Sequence, residues 1–391
     1  MSWKTIRADE FCESVRDGTH DTPKPNETGY KLVTGKHVKN GRIDPSDAYY
    51  ISEEDYEKIN ERSLVEQWDV LMSMIGTVGE VAVVKDHPNY AIKNVALFKC
   101  GGSELKGKWL AYYLRSSDAQ GHMSGNQKGS SQQFLSLNQL RSLPIPIADE
   151  RYMQRVIDIL SAYDDLIENN QKQIKLLEEA AQRLYKEWFV ALRFPGHETT
   201  PIVDGVPEAW EIQTLSQIAD VVMGQSPKSA FYNQDRQGLP FHQGVGSYGT
   251  RFVIDTTYST SFTRIAEAGS ILFSVRAPVG RLNITKNKIV IGRGLAAISH
   301  RSGMQSYLFY LLKERFFKDN IIGNGAIFAS ISKDELLGQK FIVPVDDLVK
   351  RFNTVVSDID GKIAGLENQI MLLTEARDRL LPKLMSGEIE V

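Results

Sequence analysis

The chain of 391 residues lacks several features that would assign it to a protein class at once. It has only two cysteines, Cys12 and Cys100, and they form no CxxC pair, which excludes a disulfide framework or a zinc site built on paired cysteines. No run of about 18 apolar residues occurs, so no membrane span is expected. The N-terminal segment MSWKTIRADEF has no apolar core of a signal peptide. We therefore expect a protein of the reducing cytoplasm.

Motifs of catalysis are also missing. The sequence contains no Walker A motif, no dinucleotide-binding GxGxxG after a strand, no HExxH and no Asn-Pro-Pro-aromatic tetrapeptide of amino-methyltransferases. The seven histidines are scattered without the spacing of metal ligands. We therefore expect no catalytic activity, no metal and no cofactor in this chain by itself.

What the sequence does contain is an internal repeat. Residues 163–189 align with residues 359–385, and residues 69–81 align with residues 270–282 in the same order along the chain. The helical segments are identical at Asp164, Ile167, Gln173, Ile174, Leu176, Leu177, Glu179, Ala180, Arg183 and Leu184 of the first copy. Recurring matches in one order predict two tandem units, each with a front of mixed structure and a helical back.

The helical backs carry apolar residues at alternating spacings of three and four, the period of a coiled coil. We call these positions the seam: Val156, Leu160, Tyr163, Ile167, Asn170, Ile174, Leu177, Leu184, Trp188, Phe352, Val356, Ile359, Ile363, Leu366, Ile370, Leu373, Leu380 and Leu384. A long helix cannot bury such a stripe alone, so we expect the two helices to pair, antiparallel and with pseudo-two-fold symmetry. Asn170 either fixes the register or faces solvent. Asp164 and Asp360, which occupy equivalent positions, are expected on a solvated face.

The two fronts alternate short apolar runs with Gly-rich polar turns. The runs predict strands, and YLFYLLKERFF predicts a helix, which together favour one twisted, largely antiparallel sheet with a few helices in each front. The polar turns contain Gly, Lys, Arg, Gln, Asn and Ser, which can approach phosphates or read base edges, although a single such turn is typical of any solvated surface. The fold is thus α+β, with fronts at residues 1–150 and 196–345 and helical backs at residues 151–195 and 346–391.

This arrangement resembles the specificity subunit of a type I restriction-modification system. The resemblance covers essentially the whole chain and rests on the combination of several segments, which are DGTHDTP (17–23), GTVGEVAVV (76–84), YDDLIENNQKQIKLLEEAAQRLYKEWF (163–189), PEAWEIQTLSQIADVVMGQSP (207–227) and RDRLLPKLMSGEI (377–389). It implies that the fronts are two α/β target recognition domains, each reading one half of a bipartite, asymmetric DNA sequence. The paired helices would then be a spacer that also docks two copies of a methyltransferase subunit.

The resemblance also implies the partners and the site. Double-stranded DNA, the two methyltransferase copies and a restriction/translocase subunit are expected partners in a prokaryotic cytoplasm, with no membrane partner. Adenine-N6 methylation and ATP-dependent cleavage would belong to those partners, as would S-adenosylmethionine, ATP and Mg²⁺. The expected DNA contacts are the loop residues Lys24, Lys36, His37, Thr77, Gln127, Lys128, Ser130, Gln225, Lys228, Gln243, Arg251, Arg276 and Arg281.

Two alternatives belong to other classes. The first is a non-catalytic coiled-coil scaffold with two protein-binding heads and no role on DNA. The second is a nuclease whose site carries no recognisable motif. Binding of random duplex in a gel shift separates the scaffold from a DNA-binding protein, and metal-dependent nicking by the pure protein would support the nuclease.

Overall fold

A computed structural model describes residues 3–76, 78–125, 135–316 and 330–391. The chain divides into two compact units. Unit 1 comprises Met1–Asn170 and Asn368–Val391, and unit 2 comprises Gln171–Glu367. Within the described residues, no helix combines the length and the apolar character needed to cross a membrane.

Unit 1 begins with the α/β part predicted for the first front. Its strands are β1 (Lys4–Arg7), β2 (Ser14–Asp17), β3 (Tyr30–Thr34), β4 (Val38–Lys39), β5 (Arg42–Ile43), β6 (Tyr50–Ile51), β7 (Val70–Ser73), β8 (Val81–Val83), β9 (Tyr90–Lys93), β10 (Val95–Lys99) and β11 (Pro144–Ile147). Its short helices are α1 (Ala8–Phe11), α2 (Glu53–Ser63), α3 (Glu104–Arg115), α4 (Ser117–Gly125) and α5 (Leu137–Arg141), and they precede the long helix α6 (Glu150–Tyr185).

Unit 2 contains a second α/β part. Its strands are β12 (Ile202–Val203), β13 (Val206–Pro207), β14 (Glu211–Thr214), β15 (Ala219–Met223), β16 (Tyr232–Asn233), β17 (Leu239–His242), β18 (Tyr258–Ser259), β19 (Ile265–Ala266), β20 (Ile271–Ser274), β21 (Leu282–Ile284), β22 (Ile289–Ile291), β23 (Leu295–His300) and β24 (Lys340–Val343). Its helices are α7 (Leu215–Ile218), α8 (Gln305–Phe316) and α9 (Lys333–Leu337), and the second long helix α10 (Asp346–Met385) follows.

The two α/β parts share the strand order of their four-stranded sheets and the pairing around one parallel strand. A four-stranded sheet has the order β2-β10-β7-β8 in unit 1 and β15-β23-β20-β21 in unit 2. In unit 1, β3 pairs in parallel with β9 and antiparallel with β6, and in unit 2, β17 pairs in parallel with β22 and antiparallel with β18. The predicted repeat is therefore present in the backbone as well as in the sequence.

The prediction that each front contains a single sheet is wrong, whereas the prediction that its strands are largely antiparallel is confirmed, with one parallel strand pair in each unit. In unit 1 the apolar runs of β9 and β10 are separated only by Asn94, whose φ of 52° lies in the left-handed region. This residue turns the chain so that β10 joins the four-stranded sheet while β9 pairs in parallel with β3. Apolar runs predict strands, but they do not show which strands become neighbours. Among the described residues, the strands of each unit form four sheets instead of one.

The long helices pair antiparallel in unit 1. The hydroxyl of Tyr152, near the start of α6, donates to the carbonyl oxygen of Leu384 at 2.9 Å. At the other end of this segment, Asn170 Nδ2 donates to Gln369 Oε1 at 3.2 Å. Because Asn170 is only 6% exposed, the alternative that it faces solvent is wrong. A buried amide with a single partner across the pair suits a role in fixing register.

The long helices also pair antiparallel in unit 2, where the ring of Tyr185 lies 5.8 Å from that of Phe352. Ala181, Tyr185, Phe352 and Val356 belong to one buried cluster with the strands of this unit. Tyr185 is 4% exposed and was not among the predicted seam residues. The predicted Trp188 lies one turn later, in a π-helical turn at Lys186–Val190, where it is half-buried.

The predicted seam is otherwise covered along both helices. Its buried members are Val156, Leu160, Ile167, Asn170, Ile174, Phe352, Val356, Ile363, Leu366 and Leu384. Its half-buried members are Tyr163, Leu177, Leu184, Trp188, Ile359, Ile370, Leu373 and Leu380. The 3-4 spacing therefore identified the face of each helix that packs away from water.

In unit 1 the α/β part is attached to the helices by charge as well as by apolar packing. Asp164 on α6 accepts hydrogen bonds from Tyr112 at 3.0 Å and from Arg115 at 3.2 Å, both on α3. Arg377 on α10 donates to the same carboxylate at 2.6 Å. Burial raises the pKa of Asp164, but the guanidinium groups of Arg115 and Arg377 outweigh it, and the pKa lies below its ordinary value. The expectation that Asp164 lies on a solvated face is wrong.

Changing Ile363 to Asp should destabilise unit 2, because Ile363 is fully buried on the seam. An unpaired carboxylate at this position should lower the free energy of unfolding by about 3 kcal/mol or more. Urea unfolding followed by circular dichroism measures the change. Lys362→Asp places the same group one residue away on the exposed face. Equal unfolding midpoints for the two variants would contradict the helix pairing.

Asp164→Asn should reduce stability at neutral pH by about 1–2 kcal/mol, because it removes the charge that pairs with the two arginines. A carboxyl group with a lowered pKa stabilises the fold above its unfolded-state pKa, and this contribution is lost as the pH falls through its folded-state pKa. The difference between wild type and variant should therefore shrink as the pH is lowered below about 4. Asp165→Asn, on the exposed neighbouring residue, is the control. A pH-independent difference would show that the charge of Asp164 is not responsible.

Candidate nucleic-acid interface

In unit 1, the polar segment after β2 lies directly on the turn between β9 and β10. The backbone N–H of Gly18 donates to the carbonyl oxygen of Val95 at 2.9 Å, and that of Thr19 donates to Ile92 at 3.0 Å. A Cβ atom at Gly18 would lie 2.3 Å from the carbonyl oxygen of Ile92, so only glycine fits this approach. The segment is thereby held at the edge of the sheets, and the side chains after Thr19 lie at the surface.

Unit 2 repeats this arrangement at Gly224. Its N–H donates to the carbonyl oxygen of Leu295 at 2.9 Å, and that of Gln225 donates to Ile291 at 2.9 Å. A Cβ atom at Gly224 would lie 2.1 Å from the carbonyl oxygen of Gly292. The two glycines thus allow the same close approach of the backbone in both units.

The side chains held at this edge differ between the units. In unit 1, His20 is exposed, and its ring lies 2.8 Å from Asn94 Oδ1 and 3.0 Å from Asp17 Oδ2, while Lys93 donates to the hydroxyl of Thr22. In unit 2 the corresponding turn is Gly292–Arg293–Gly294. The turn therefore carries an amide group, with the His20 ring beside it, in one unit and a guanidinium group in the other.

Three predicted residues of unit 2 lie on loops beside this glycine turn. Gly294 N–H donates to the carbonyl oxygen of Gln243 at 3.1 Å. A Cβ atom at Gly292 would lie 3.0 Å from Gln243 Cα and 2.9 Å from Oγ of Ser226, the neighbour of Gln225. The carbonyl oxygen of Gly294 in turn accepts from Val275, the neighbour of Arg276. Three loops therefore converge here, and Gln225, Gln243 and Arg276 are exposed on them. Amide and guanidinium groups of this kind can pair with base edges.

Arg293 was missed in the sequence although it is exposed on the same turn. The signal was present, because a basic residue stands between two glycines that separate the apolar runs of β22 and β23. Lys93, the last residue of β9 in unit 1, is half-buried and was also missed. Both lie where two strands separate, which places a cation at the edge of the sheets.

The other predicted contacts are distributed as follows. Lys24, Lys36 and Lys228 are exposed, and Arg281 is half-buried with its backbone N–H bound to Ser274 Oγ at 2.8 Å. Lys36 Nζ lies 3.0 Å from Asp47 Oδ2. The remaining four predictions, Thr77, Gln127, Lys128 and Ser130, lie outside the described residues.

The prediction that Arg251 contacts DNA is wrong for this structure, because its side chain is only 2% exposed. Its Nη2 atom donates to Asp360 Oδ1 on α10 at 2.6 Å, and its Nη1 atom lies 3.7 Å from Glu178 Oε1 on α6. The guanidinium carbon lies 3.6 Å from the centroid of the Phe309 ring. Arg251 therefore ties the loop after β17 to both long helices of unit 2, and Asp360, like Asp164, is not on a solvated face.

The prediction of a DNA contact at His37 is also wrong in this structure. The residue is 4% exposed, and its Nδ1 atom accepts the backbone N–H of Thr34 at 2.8 Å. Burial and the neighbouring Lys36 lower the pKa of His37 below its ordinary value, against the attraction of Asp47. The ring thus lies inside its own turn, while Lys36 remains at the surface.

Within the part of the chain that is described, no group of three or more His, Cys, Asp or Glu side chains is placed to hold a metal ion. The chemistry available at the converging loops is hydrogen bonding by amides, hydroxyls and backbone N–H groups together with positive charge. That combination suits recognition of phosphates and base edges.

Comparison with known proteins gives the same duplication. The model of the type I restriction modification DNA specificity domain family matches residues 1–179 and again residues 207–371. The chain is 28% identical to the putative type I restriction enzyme MjaX specificity subunit of Methanocaldococcus jannaschii, an alignment that spans 100% of this chain and 94% of that protein. It is 23% identical to the HindI specificity subunit of Haemophilus influenzae, over 84% of this chain and 88% of that protein.

The fold is similar to that of a solved structure, the type-I restriction-modification system S subunit from M. genitalium. The TM-score is 0.58 at 15% sequence identity, over 98% of this chain and 96% of that chain. At this level of identity the likeness concerns the fold alone.

Arg251 and Arg276 should respond differently to substitution although the sequence suggested the same role for both. Arg251→Met leaves the carboxylate of Asp360 without its partner, so the free energy of unfolding should fall by about 2–4 kcal/mol. Arg276→Ala removes an exposed side chain and should change it by less than about 0.5 kcal/mol. Thermal and urea unfolding measure both, and equal effects would contradict the assignment of Arg251 to the interior.

Proposed function

The chain belongs to the family of type I restriction modification DNA specificity domains, and we propose that it directs a restriction-modification complex to a bipartite, asymmetric DNA sequence. Each α/β part is a target recognition domain that reads one half of the target. The paired helices set the separation of the two halves and dock the methyltransferase subunits. Proteins of this family supply specificity and are non-catalytic.

One observation carries this proposal: the same backbone framework occurs twice with different side chains at its converging loops. Gly18 and Gly224 make the same close approach to a turn, yet the groups presented beside them are His20 and Asn94 in unit 1 and Gln225 and Arg293 in unit 2. Because the two α/β parts have the same backbone arrangement, we expect both to approach DNA in the same way. Unequal hydrogen-bonding groups support two different half-sites.

Exposed leucines on the two long helices support the docking of two copies of one partner. Leu176 on α6 is 63% exposed and Leu372 on α10 is 53% exposed. The two leucines occupy equivalent positions of the internal repeat. An exposed leucine repeated in the same sequence context supports a binding position for each of two methyltransferase copies. A restriction/translocase subunit would join the complex through them.

We place the reactive groups on these partners. S-adenosylmethionine would be bound by the methyltransferase copies, and ATP and Mg²⁺ would be used by the restriction/translocase subunit, while this chain binds double-stranded DNA in the prokaryotic cytoplasm. The alternative of a scaffold with two protein-binding heads does not account for the match of the DNA specificity family to both units.

The test is a map of N6-methyladenine in the genome of a host that expresses this chain with its methyltransferase partner. Wild type should yield one motif with two unlike halves and a fixed gap. Arg276→Ala should relax or abolish reading of one half only, since a lost bidentate base contact costs about 1–3 kcal/mol of discrimination. The other half and the gap should stay unchanged.

Arg301→Ala is the matched control, because Arg301 is an exposed arginine of the same unit that pairs with Asp220 at 3.1 Å. It should leave the motif intact. A motif without two halves, or a simultaneous change of both halves in Arg276→Ala, would overturn the proposal. Absence of methylation together with tight binding to an unrelated protein would favour the scaffold.

A further inference from the structure

The loop between β17 and β18, residues 243–257, encloses a polar network that the sequence did not suggest. The imidazole of His242 is 0% exposed. Its Nδ1 atom lies 2.8 Å from Ser247 Oγ, and its Nε2 atom lies 2.9 Å from Asp255 Oδ1. Since a carboxylate only accepts, Nε2–H donates to Asp255.

This network joins three separate points of the loop. His242 is the last residue of β17, and its carbonyl oxygen accepts the N–H of Gly292 at 2.8 Å, so its backbone is fixed in the sheet. Ser247 lies in a 3-10 turn, and its carbonyl oxygen accepts the N–H of Ile254 at 2.9 Å. Asp255 precedes β18 by three residues. One ring therefore fastens the start, the turn and the end of the loop.

The loop is held from its other side by Arg251. Its backbone N–H donates to Glu367 Oε1 at 3.1 Å, in addition to the side-chain contacts with α6 and α10. Between these two anchors, Gln243 and Thr250 are exposed. The loop thus presents its polar surface from a frame that is fixed before any ligand binds, which lowers the entropic cost of recognition.

Unit 1 has an aspartate at the equivalent position. Asp47 precedes Tyr50 of β6 by three residues, as Asp255 precedes Tyr258 of β18. His37 Nε2 lies 3.1 Å from Asp47 Oδ1, although the angle is poor for a hydrogen bond. This histidine comes from the turn after the parallel strand, whereas His242 comes from the strand itself. Two different histidines therefore approach the same aspartate position.

The network in unit 2 is the more enclosed of the two, because Asp255 is 24% exposed and Asp47 is 69% exposed. Serine, histidine and aspartate in contact are also the groups of a nucleophilic catalyst. Here the imidazole has no exposed surface, and Ser247 Oγ lies 3.3 Å from the carbonyl oxygen of Gly244, within its own loop. The arrangement suits holding the loop, and a substrate would have no access to the ring.

We propose that His242 and Asp255 are positioning residues that determine which half-site the second recognition domain reads, by fixing the β17–β18 loop that carries Gln243. This inference rests on the proposed function. It adds to it that specificity depends on enclosed groups that do not touch DNA. Removing the carboxylate frees the ring and lets the loop adopt several conformations, so that Gln243 no longer meets one base edge.

The experiment uses the whole chain, expressed with its methyltransferase partner, and maps methylated adenines for Asp255→Ala and Asp255→Asn. Asp255→Ala should reduce discrimination at one or more positions of one half-site by about tenfold, which corresponds to about 1.4 kcal/mol. Asp255→Asn keeps an oxygen acceptor for Nε2–H and should retain the wild-type motif. Asp47→Ala is the matched control in unit 1 and should leave the half-site read by the second domain unchanged.

The outcomes are separable. If wild type yields no bipartite motif, the proposed function fails. If wild type yields one and Asp255→Ala keeps it unaltered while folded, the positioning role is refuted. A general structural role would lower methylation at all sites without altering the motif, and this also refutes it. If Asp255→Ala does not fold, Ser247→Ala, which removes only the hydroxyl partner of the ring, must relax the same half-site for the inference to stand.

Discussion

Burial of the apolar stripes of two long helices is the constraint on which both units depend. Helix α6 has 36 residues and α10 has 40, and neither can cover its own stripe. In unit 1, Leu160 and Leu384 share one buried cluster with the four-stranded sheet, and in unit 2, Phe352 and Val356 do the same. The α/β parts therefore do not merely flank the helices. Each completes its core on a helix pair, and its loops are oriented by that packing.

Buried polar groups fix the position at which each α/β part packs on its helix pair. An apolar stripe alone tolerates sliding, whereas a buried amide or charge is costly unless it meets its partner. Asn170 meets Gln369, Asp164 meets Arg115 and Arg377, and Arg251 meets Asp360. The equivalent aspartates Asp164 and Asp360 use arginines from different elements, α3 in one unit and a loop in the other. The repeat thus conserves the anchoring position while its partners have changed with the recognition domains.

Much of the architecture was predictable because it follows from periodicity. The spacing of apolar residues located both helices and their buried faces, and the apolar runs located the central strands of each sheet. The direction in which a loop side chain points does not follow from periodicity. Arg251 and Arg276 stand in similar Gly-rich turns, but one is directed to a carboxylate 109 residues further along the chain and the other to solvent. Arg293 escaped notice because a turn of three residues between strands resembles any other turn.

The central claim, that the two long helices form one antiparallel pair within a unit, is tested most directly by cross-linking. Asn170→Cys and Gln369→Cys replace residues whose side chains lie 3.2 Å apart across the pair, and the native Cys12 and Cys100 are buried. The protein is treated with a short bis-maleimide and is then cleaved at a protease site introduced between the two helices, which divides the chain into two fragments. If the helices pair as described, the fragments remain covalently joined in the folded protein and separate when cross-linking is done in denaturant. Fragments that separate after cross-linking of the folded protein would contradict the pairing.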